Sequence, residues 1–382
     1  MTIGILGCGA MGRACAFAAT RLFPQDTIHI IDSDSNRTAN LKSWLSAVSA
    51  QSQTVAHVID TTDNDSLSRV LGNCRIAIAA LPWASTLPAV IAANTVGTTL
   101  VSLTRPDYSD IDTLQALNNR SLILLPCGLE PGLTEILARD LASRLDEVTE
   151  VSIRCGGIPI VPVPPLGYKL LFDDRLPVTM RPAYRIEGGK LIVGQHFDNL
   201  EELDIKGLGI LEGHDDGMLP WLIEDEYLGN ANLVTQKTLR WPGFAQAMTT
   251  LHRLGLLSDD PVNVGEIYSS PRQLIEELLR LRMSAAEKIE DLTILAISVS
   301  GYRKGKHVKL TANCMDYADV EKNLSSMART TGFAAVSAAK MIDDGLITGS
   351  GWLMPHTTIS GPLVPIFLDH LYSLGIEIIL NY

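Results

Sequence analysis

Length, composition and charge set the first limits on this chain. It has 382 residues, of which 46% are hydrophobic and 19% charged, so its composition is typical of a soluble globular protein and its length favours two domains. The formal net charge of −12 argues against nucleic acid or an anionic membrane surface as a partner, because both require a basic face. No apolar run approaches the roughly 20 residues of a membrane span, and the first residues predict a strand rather than a signal peptide.

The cysteines predict neither a metal site nor a disulfide framework. No C-x-x-C pair and no cluster with histidine occurs among them, and we expect thiols buried as small hydrophobic groups in a protein of the reducing cytoplasm. The six are Cys8, Cys15, Cys74, Cys127, Cys155 and Cys314.

The chain opens with an apolar run that leads into a glycine motif. Residues 7–12 have the sequence GCGAMG, which fits G-x-G-x-x-G, and an alanine-rich, helix-favouring stretch follows. In a dinucleotide-binding fold Gly7 permits the tight turn, Gly9 lets the backbone approach a pyrophosphate, and Gly12 lets the helix pack on the strand. The helix N-terminus favours the negative charge of that pyrophosphate. We therefore assign to cofactor binding Gly7, Gly9, Ala10, Met11 and Gly12.

An aspartate at the end of the second apolar run predicts which dinucleotide is bound. Asp32 lies on the order of twenty to twenty-five residues past the glycines, where a carboxylate accepts hydrogen bonds from the adenosine ribose and repels a 2′-phosphate. This favours NAD over NADP. Arg37 leaves the alternative open, since a nearby arginine can accommodate the phosphate. In a purely structural interpretation, Asp32 caps the turn and Arg37 is a solvated charge.

Short apolar runs alternate with helical stretches up to about Leu125. This alternation predicts an α/β fold, a Rossmann doubly wound parallel sheet covered on both faces. The predicted strands are Ile3–Leu6, Ile28–Ile31, Val55–Val58, Ile76–Ala80, Thr99–Leu103 and Leu122–Leu125. The predicted helices are Arg13–Arg21, Arg37–Ser49, Ser66–Leu71, Leu87–Ala93 and Ile111–Asn118.

Ligands of such sheets bind beyond the carboxyl ends of the strands. The residues there that we assign to cofactor binding are Asp60, Leu81 and Pro82. The hydroxyls of Ser102 and Thr104 are candidates for contact with the substrate or the nicotinamide ribose, although Ser102 is equally well explained as a turn residue.

The pattern changes after residue 126. Leu133–Leu145 predicts a helix with Thr134 as its N-cap, and Met327–Asp344 predicts another that Gly345 terminates. Between them we expect an α+β domain with a mixed or antiparallel sheet. Its predicted strands are Val151–Arg154, Tyr184–Ile186, Lys190–Val193, Thr293–Gly301 and Lys306–Ala312, and its predicted helices are Gly243–Leu254 and Pro271–Leu281.

Five motifs along the chain resemble the saccharopine dehydrogenase family, which includes glutamate-forming saccharopine reductase and lysine 6-dehydrogenase. They are residues 128–132 (GLEPG), 155–159 (CGGIP), 165–169 (PLGYK), 238–244 (TLRWPGF) and 327–331 (MARTT). The resemblance implies that the C-terminal helix returns to the nucleotide domain, so that residues 1–130 and 320–382 form a Rossmann domain and 131–319 an inserted substrate domain. It also implies a homodimer and interconversion of a C–N single bond and an imine with a nicotinamide cofactor.

The chain mixes features of the two relatives. Glu130 and Cys155 match saccharopine reductases, whereas residues 212–216 (EGHDD) lack their Asn-Arg pair and carry a histidine, as lysine 6-dehydrogenases do. Asp215 and Asp216 reverse the local charge and favour an ammonium group over a dicarboxylate arm. We therefore expect an amino acid or amine substrate and a lysine 6-dehydrogenase-like reaction. The alternatives are a saccharopine-type reductase and an NAD-binding sensor without turnover.

The candidate catalytic residues are Glu130, Cys155 and His214. Oxidation of an amine needs a proton acceptor near the nitrogen, and Glu130, which follows the last strand of the first domain, is the candidate. The alternative is a helix-capping carboxylate. Cys155, at a predicted strand end, either moves a proton or fills space. His214 either takes part in proton transfer together with Asp215 or is an ordinary loop histidine.

The remaining candidates are substrate ligands. Arg240 and Arg329 suit an α-carboxylate, because a guanidinium matches a carboxylate bidentately, and an interdomain ion pair is the alternative for each. Tyr168 and Lys169 lie in a motif shared with the family. With Asp215 and Asp216 they complete the predicted substrate set, and no metal ligand is predicted.

Overall fold

The computed structural model describes residues 2–49, 53–118, 120–169, 180–283 and 290–382. The chain divides into two compact units. Unit 1 comprises Met1–Asp140 and Ala318–Ile379, and unit 2 comprises Leu141–Tyr317 and Leu380–Tyr382.

Unit 1 contains a seven-stranded parallel sheet. Its strands are β1 (Thr2–Leu6), β2 (Thr27–Asp32), β3 (Thr54–Val58), β4 (Ile76–Ala79), β5 (Thr99–Ser102), β6 (Leu122–Leu124) and β17 (Gly351–Leu353). They lie in the order β17-β6-β5-β4-β1-β2-β3, and every pairing is parallel. The order reverses between β1 and β4, as in a doubly wound dinucleotide-binding sheet, so the predicted fold class is confirmed.

Helices accompany the strands of unit 1. They are α1 (Ala10–Leu22), α2 (Ser35–Val48), α3 (Asn64–Leu71), α4 (Trp83–Val96), α5 (Ile111–Gln115), α6 (Leu133–Ala142), α9 (Ser326–Asp343), α10 (Pro355–Thr358) and α11 (Leu363–Ser373). The helix α9 packs on α1, where Phe17 stacks on Phe333 at a centroid distance of 6.2 Å. Gly345, with φ of +73°, terminates α9 as predicted.

Unit 2 contains a mixed sheet of nine strands, also as expected. They are β7 (Glu147–Pro159), β8 (Pro182–Glu187), β9 (Lys190–Gln195), β10 (Glu201–Ile205), β11 (Gly209–Asp215), β12 (Leu233–Arg240), β15 (Asp291–Arg303), β16 (Lys306–Tyr317) and β18 (Ile379–Asn381). The main path runs β10-β11-β12-β7-β15-β16-β18; β7 and β12 are parallel, while β8 pairs antiparallel with both β12 and β9.

Unit 2 contains further elements outside this sheet. These are the hairpin of β13 (Val262–Val264) and β14 (Ile267–Ser269), and the helices α7 (Phe244–Arg253) and α8 (Pro271–Met283). Short 3₁₀ helices lie at Tyr108–Asp110 in unit 1 and Pro220–Glu224 in unit 2. Among the residues that the structure describes, no helix combines the length and apolar character needed to cross a membrane.

Two local predictions are wrong. The helix α6 begins at Leu133, so Thr134 lies within it and is not its N-cap; Thr134 donates its hydroxyl to the carbonyl of Leu129, while the carboxylate of Glu135 accepts the N–H of Gly132. The strand expected to end before Cys155 continues to Pro159. Gly156 does not break it, because the missing side chain lets the backbone of Leu239 on the neighbouring strand come close.

Candidate functional site

The glycine motif of unit 1 forms the predicted turn. Gly7 has φ of +94°, and a Cβ at that position would overlap the carbonyl oxygen of Ala80. A Cβ at Gly12 would overlap the carbonyl oxygen of Gly7, so only glycine allows α1 to approach β1 this closely. Among the described residues no side chain caps α1, where Gly9 is the N-cap and Ala10 is exposed. This cradle therefore fits a dinucleotide pyrophosphate.

Asp32 lies at the carboxyl end of β2, directly beside the glycine turn. Its Oδ2 accepts the backbone N–H of Cys8 at 2.7 Å, and its Oδ1 accepts the N–H of Asp34 at 2.9 Å. Arg37 pairs with Asp34, with 3.9 Å between Nε and Oδ2. The carboxylate thus shapes the turn and still has acceptor positions for ribose hydroxyls.

The other predicted ligands of unit 1 lie at the carboxyl ends of β3, β4 and β5. The hydroxyl of Thr104 donates to the carbonyl oxygen of Leu81, which brings these two together. Ser102 is fully buried, and its Oγ accepts the N–H of Thr104, as in a turn. Asp60 is exposed; hydrogen bonds from Thr62 lower the pKa of its carboxyl. Exposed Pro82 precedes α4 as its N-cap.

Two further predicted residues belong to unit 1. Glu130 is half-buried in the turn between β6 and α6. Glu135, rather than Glu130, accepts the N–H of Gly132 at 2.6 Å. Arg329 on α9 donates from Nη2 to the carbonyl oxygen of Gly375 at 3.1 Å, and its guanidinium carbon lies 5.8 Å from the ring centroid of Phe333.

In unit 2, the pairing of β11 with β12 sets the position of two predicted residues. His214 lies opposite Thr238 and Glu212 opposite Arg240 in this antiparallel register. Because side chains alternate along a strand, His214 and Arg240 project from the same face as diagonal neighbours. Both are buried, with exposed fractions of 1% and 7%.

Three buried polar groups around Phe244 lack a hydrogen-bond partner in the described structure. They are Nδ1 of His214, Nε of Arg240 and the hydroxyl of Tyr168. The ring centroids of Tyr168 and His214 lie 5.3 and 6.1 Å from that of Phe244. The guanidinium carbon of Arg240 lies 4.7 Å from the Tyr168 centroid and 5.6 Å from that of Phe244. Since buried polar groups in native proteins are almost always hydrogen-bonded, this cluster is suited to bind a polar ligand.

The cluster combines one cation with a neutral imidazole. Burial lowers the pKa of His214 to about 3, and the positive charge of Arg240 lowers it further, whereas Asp216 acts in the opposite direction. His214 is therefore uncharged at neutral pH and can accept or donate a hydrogen bond. Arg240 uses Nη1 to donate to the carbonyl oxygens of Leu239 at 2.8 Å and Gly157 at 3.4 Å.

The acidic pair that follows His214 is engaged within unit 2. Asp215 accepts a hydrogen bond from Nδ2 of Asn199 at 2.6 Å, and Arg185 lies 3.8 Å away. Asp216 forms an ion pair with Arg181, and its Oδ1 lies 2.6 Å from Nε2 of His196. Burial raises the pKa of Asp215. Both carboxylates therefore have partners within unit 2, and their predicted contact with a substrate stays a prediction.

Cys155 and Lys169 lie in the same unit. Cys155 is buried in the interior of β7, opposite Thr238 on one side and Leu295 on the other. Lys169 is half-buried beside Tyr168.

Three residues near His214 and Asp216 were not predicted from the sequence: His196, Phe197 and Arg181. His196 and Phe197 follow β9 in a polar stretch without periodicity, and Arg181 precedes β8. The pairing of β8 with both β9 and β12, and of β11 with β12, brings them to His214. The one signal in the sequence was the presence of two histidines in neighbouring polar loops.

Comparison with known proteins matches the chain to one family and one fold. The family model for the saccharopine dehydrogenase C-terminal domain matches residues 128–376. The saccharopine dehydrogenase [NADP(+), L-glutamate-forming] of Saccharomyces cerevisiae is 23% identical over 398 residues, covering 83% of this chain and 87% of the relative. The mitochondrial alpha-aminoadipic semialdehyde synthase of Bos taurus is 26% identical over 62% of this chain, which spans 33% of that protein.

A solved structure shares the whole fold. The apo saccharopine dehydrogenase (L-Glu forming) from Saccharomyces cerevisiae superposes with a TM-score of 0.77 at 19% identity, and the match covers 100% of both chains. The arrangement of a parallel dinucleotide-binding sheet and a separate mixed sheet is thus common to both.

Proposed function

The chain belongs to the saccharopine dehydrogenase family, and from this membership we propose that it oxidises the C–N bond of an amino acid in a lysine 6-dehydrogenase-like reaction. It is an NAD(P)-dependent amino acid dehydrogenase. The lysine 6-dehydrogenase-like reaction is supported by the buried cluster of His214, Arg240 and Tyr168, in which Nδ1, Nε and the hydroxyl, respectively, have no hydrogen-bond partner in the described structure. The cluster offers a fixed cation for a carboxylate and a neutral ring nitrogen for an amine.

Arg240 is assigned to the α-carboxylate of the substrate. Its guanidinium is held over the rings of Tyr168 and Phe244, and its Nε has no partner in the described structure. A rigid, buried guanidinium binds a carboxylate with charge-assisted hydrogen bonds, and Tyr168 adds a hydroxyl donor beside it. This assignment explains why a buried positive charge is kept in the cluster.

His214 is assigned to the substrate nitrogen. Because burial lowers its pKa to about 3, the imidazole is neutral at physiological pH and does not repel an ammonium group. Its Nδ1 is free to accept a hydrogen bond from the amine once a proton has left. We keep Glu130 as the proposed proton acceptor, and Cys155 as a second candidate for moving a proton.

The preference for a primary amine rests on His214 and not on the acidic pair. Asp215 and Asp216 are bound by Asn199, Arg181 and His196, so their charge does not select an ammonium substrate. A saccharopine-type secondary amine is the second candidate, and the activity for which the yeast relative is named favours it. The two candidates differ in whether the reacting nitrogen carries one carbon substituent or two.

We propose NAD as the cofactor, held by the glycine turn and by Asp32. When bound, its nicotinamide ring accepts a hydride from the substrate carbon. Gly7 and Gly12 allow the backbone approach that a pyrophosphate needs. Arg37, the residue that would bind a 2′-phosphate, is paired with Asp34.

A substrate panel tests the proposal. Purified protein is given NAD or NADP with L-lysine, L-ornithine, saccharopine or cadaverine, and reduced nicotinamide is followed by its absorbance. We expect turnover of a primary-amine amino acid with NAD. Turnover of saccharopine alone would replace the proposal by its second candidate. Stoichiometric NAD binding without turnover of any amine would refute both and favour a sensor.

Homodimeric assembly and a cytoplasmic location stay predictions from the sequence. Light scattering coupled to size-exclusion chromatography measures the first, because a dimer has twice the mass of the 41.4 kDa chain.

A further inference from the structure

We propose that His196 and Asp216 form a positioning pair that fixes the imidazole of His214 for the substrate nitrogen. This inference rests on the function proposed for His214. Sequence reasoning did not identify His196, and it treated Asp216 as a direct substrate ligand.

The side chains of His196 and Asp216 contact each other directly. Nε2 of His196 lies 2.6 Å from Oδ1 of Asp216, and both residues are buried. Arg181 pairs with the same carboxylate oxygen, and its Nε donates to the backbone carbonyl of Asp216 at 3.2 Å. Since burial excludes competing water, these bonds hold the ring of His196 in one orientation.

Aromatic rings pack around the imidazole of His214. His196 stacks on Phe197 with centroids 3.8 Å apart and planes 14° apart. The centroid of His214 lies 5.9 Å from that of His196 and 5.0 Å from that of Phe197. Together with Phe244, these rings surround the imidazole of His214, while its Nδ1 has no hydrogen-bond partner of its own in the described structure. Packing, and not a direct hydrogen bond to Nδ1, therefore sets the orientation of this ring.

The backbone at and after Phe197 adopts an unusual conformation. Phe197 and Asn199 have φ of 69° and 52°, in the left-handed region that disfavours side chains with a Cβ. The N–H of Phe197 donates to the carbonyl of Asp215 at 3.0 Å, and Nζ of Lys237 donates to the carbonyl of Asn199 at 2.6 Å. Strained backbone of this kind persists where the surroundings hold it, and such positions cluster at functional sites. Here the strained turn places two rings against His214.

The consequence for the reaction is geometric. If Nδ1 of His214 accepts the hydrogen bond of the substrate nitrogen, a small rotation of its ring moves that acceptor away from the reacting atom. A misplacement of about 1 Å at a reacting centre can lower the rate on the order of 10²-fold. Arg240 holds the carboxylate through separate contacts, so the loss should appear in kcat with little change in KM.

Two substitutions of His196 separate the hydrogen bond from the packing. His196→Gln keeps an amide N–H that can reach Asp216, whereas His196→Leu keeps the volume and loses the donor. Exposed His307 on β16 supplies the control His307→Leu. We expect kcat to fall on the order of 10²-fold in His196→Leu, to be partly restored in His196→Gln, and to be unchanged in His307→Leu. Wild-type kcat in His196→Leu, or equal loss in both His196 variants, would overturn the proposal.

A measurement without substrate distinguishes this inference from the proposed function. In protein labelled with ¹⁵N-histidine, the ring nitrogens of His214 report its protonation and tautomer. We expect one set of sharp, neutral signals in the wild type and shifted or multiple signals in His196→Leu. Unchanged His214 signals in that variant refute the positioning pair, whatever the substrate is. If the signals change while the wild type oxidises no amine, the proposed function fails and the positioning of His214 stands.

Discussion

The backbone N–H of Cys8 donates to Oδ2 of Asp32 across 2.7 Å, which ties the glycine turn of unit 1 to the end of β2. The other carboxylate oxygen accepts the N–H of Asp34. One side chain therefore both shapes the turn and presents acceptors where a ribose would bind, because a carboxylate has about four acceptor positions. The two interpretations open from the sequence, a turn cap and a ribose ligand, are compatible.

Asp32→Asn separates these two roles. The amide oxygen can still accept from Cys8, but the negative charge is lost. Hydrogen bonds to a charged group contribute about 1.5–3 kcal/mol each, so we expect the Kd for NAD to rise about 10- to 100-fold and the Kd for NADP to change much less. Titration calorimetry measures both, and Asp65→Asn, at an exposed aspartate in the first turn of α3, is the control. An unchanged NAD affinity would remove Asp32 from the ribose site.

Gly12→Ala tests the close approach of α1 to β1. The added methyl group would overlap the carbonyl oxygen of Gly7, so the helix must shift. Overpacking of this kind costs about 1–3 kcal/mol, and we expect a lower melting temperature together with loss of NAD binding. Gly72→Ala is the control, because Gly72 has a right-handed helical backbone. A Cβ added there would have its nearest atom, the carbonyl oxygen of Ser68, at 3.2 Å. Normal NAD binding by Gly12→Ala would contradict the assigned role.

The strands β1 to β6 of the parallel sheet in unit 1 were predictable because short apolar runs alternate with helical stretches there, whereas β17 was not predicted. The strands β10, β11 and β12 were not predicted. Their sequences contain charged side chains that pair across strands: Glu201 on β10 binds Lys237 on β12 and also Arg154 on β7. Such pairing is a tertiary effect, and in the sequence alone these residues look like a solvated stretch.

The candidate site, too, was predictable only in part. His214 and Arg240 were identified from the resemblance, but their position on one face follows from the register of β11 and β12, which no local pattern specifies. For the same reason the sequence could not show that Asp216 is bound by Arg181 and His196. Local motifs identified side chains with the right chemistry, and strand pairing determined their partners.

Arg240→Leu tests the carboxylate site. Loss of the guanidinium removes charge-assisted hydrogen bonds worth about 1.5–3 kcal/mol each. We therefore expect KM for an amino acid such as L-lysine to rise about 10- to 100-fold. Cadaverine, which lacks the carboxylate, should be affected much less. Steady-state kinetics with both substrates measures the difference, and exposed Arg253→Leu at the end of α7 is the control. Equal losses for the two substrates would show that Arg240 does not bind the carboxylate.

Glu130→Gln tests the proposed proton acceptor. The amide keeps the size of the side chain and cannot take up a proton, and acid–base groups contribute about 10²- to 10⁴-fold to rate. We expect kcat to fall within that range while NAD still binds with wild-type affinity. The control is Glu321→Gln, an exposed glutamate elsewhere in unit 1. Near-normal turnover would exclude Glu130 as the acceptor and leave Cys155 to be tested next.

The lowered pKa of His214 makes a prediction about stability. Its folded-state pKa of about 3 lies below its ordinary value of 6.5, chiefly because of burial. Between these values the unfolded chain binds a proton that the folded protein does not, so acid favours unfolding. This contribution is complete above pH 6.5 and is lost as the pH falls towards 3, with a slope of about 1.4 kcal/mol per pH unit. His214→Phe, which suits the aromatic surroundings, removes the titrating group.

Urea unfolding at intervals between pH 4 and pH 7 measures this slope. We expect the free energy of unfolding of His214→Phe to exceed that of the wild type increasingly as the pH is lowered. His307→Phe is the control for replacing a histidine by phenylalanine at an exposed position. Since His29 and His57 also have lowered pKa values, the difference between variant and wild type, and not the wild-type curve, isolates His214. A constant difference across this range would mean that the pKa of His214 is the same in the folded and the unfolded protein, which contradicts the lowering by burial.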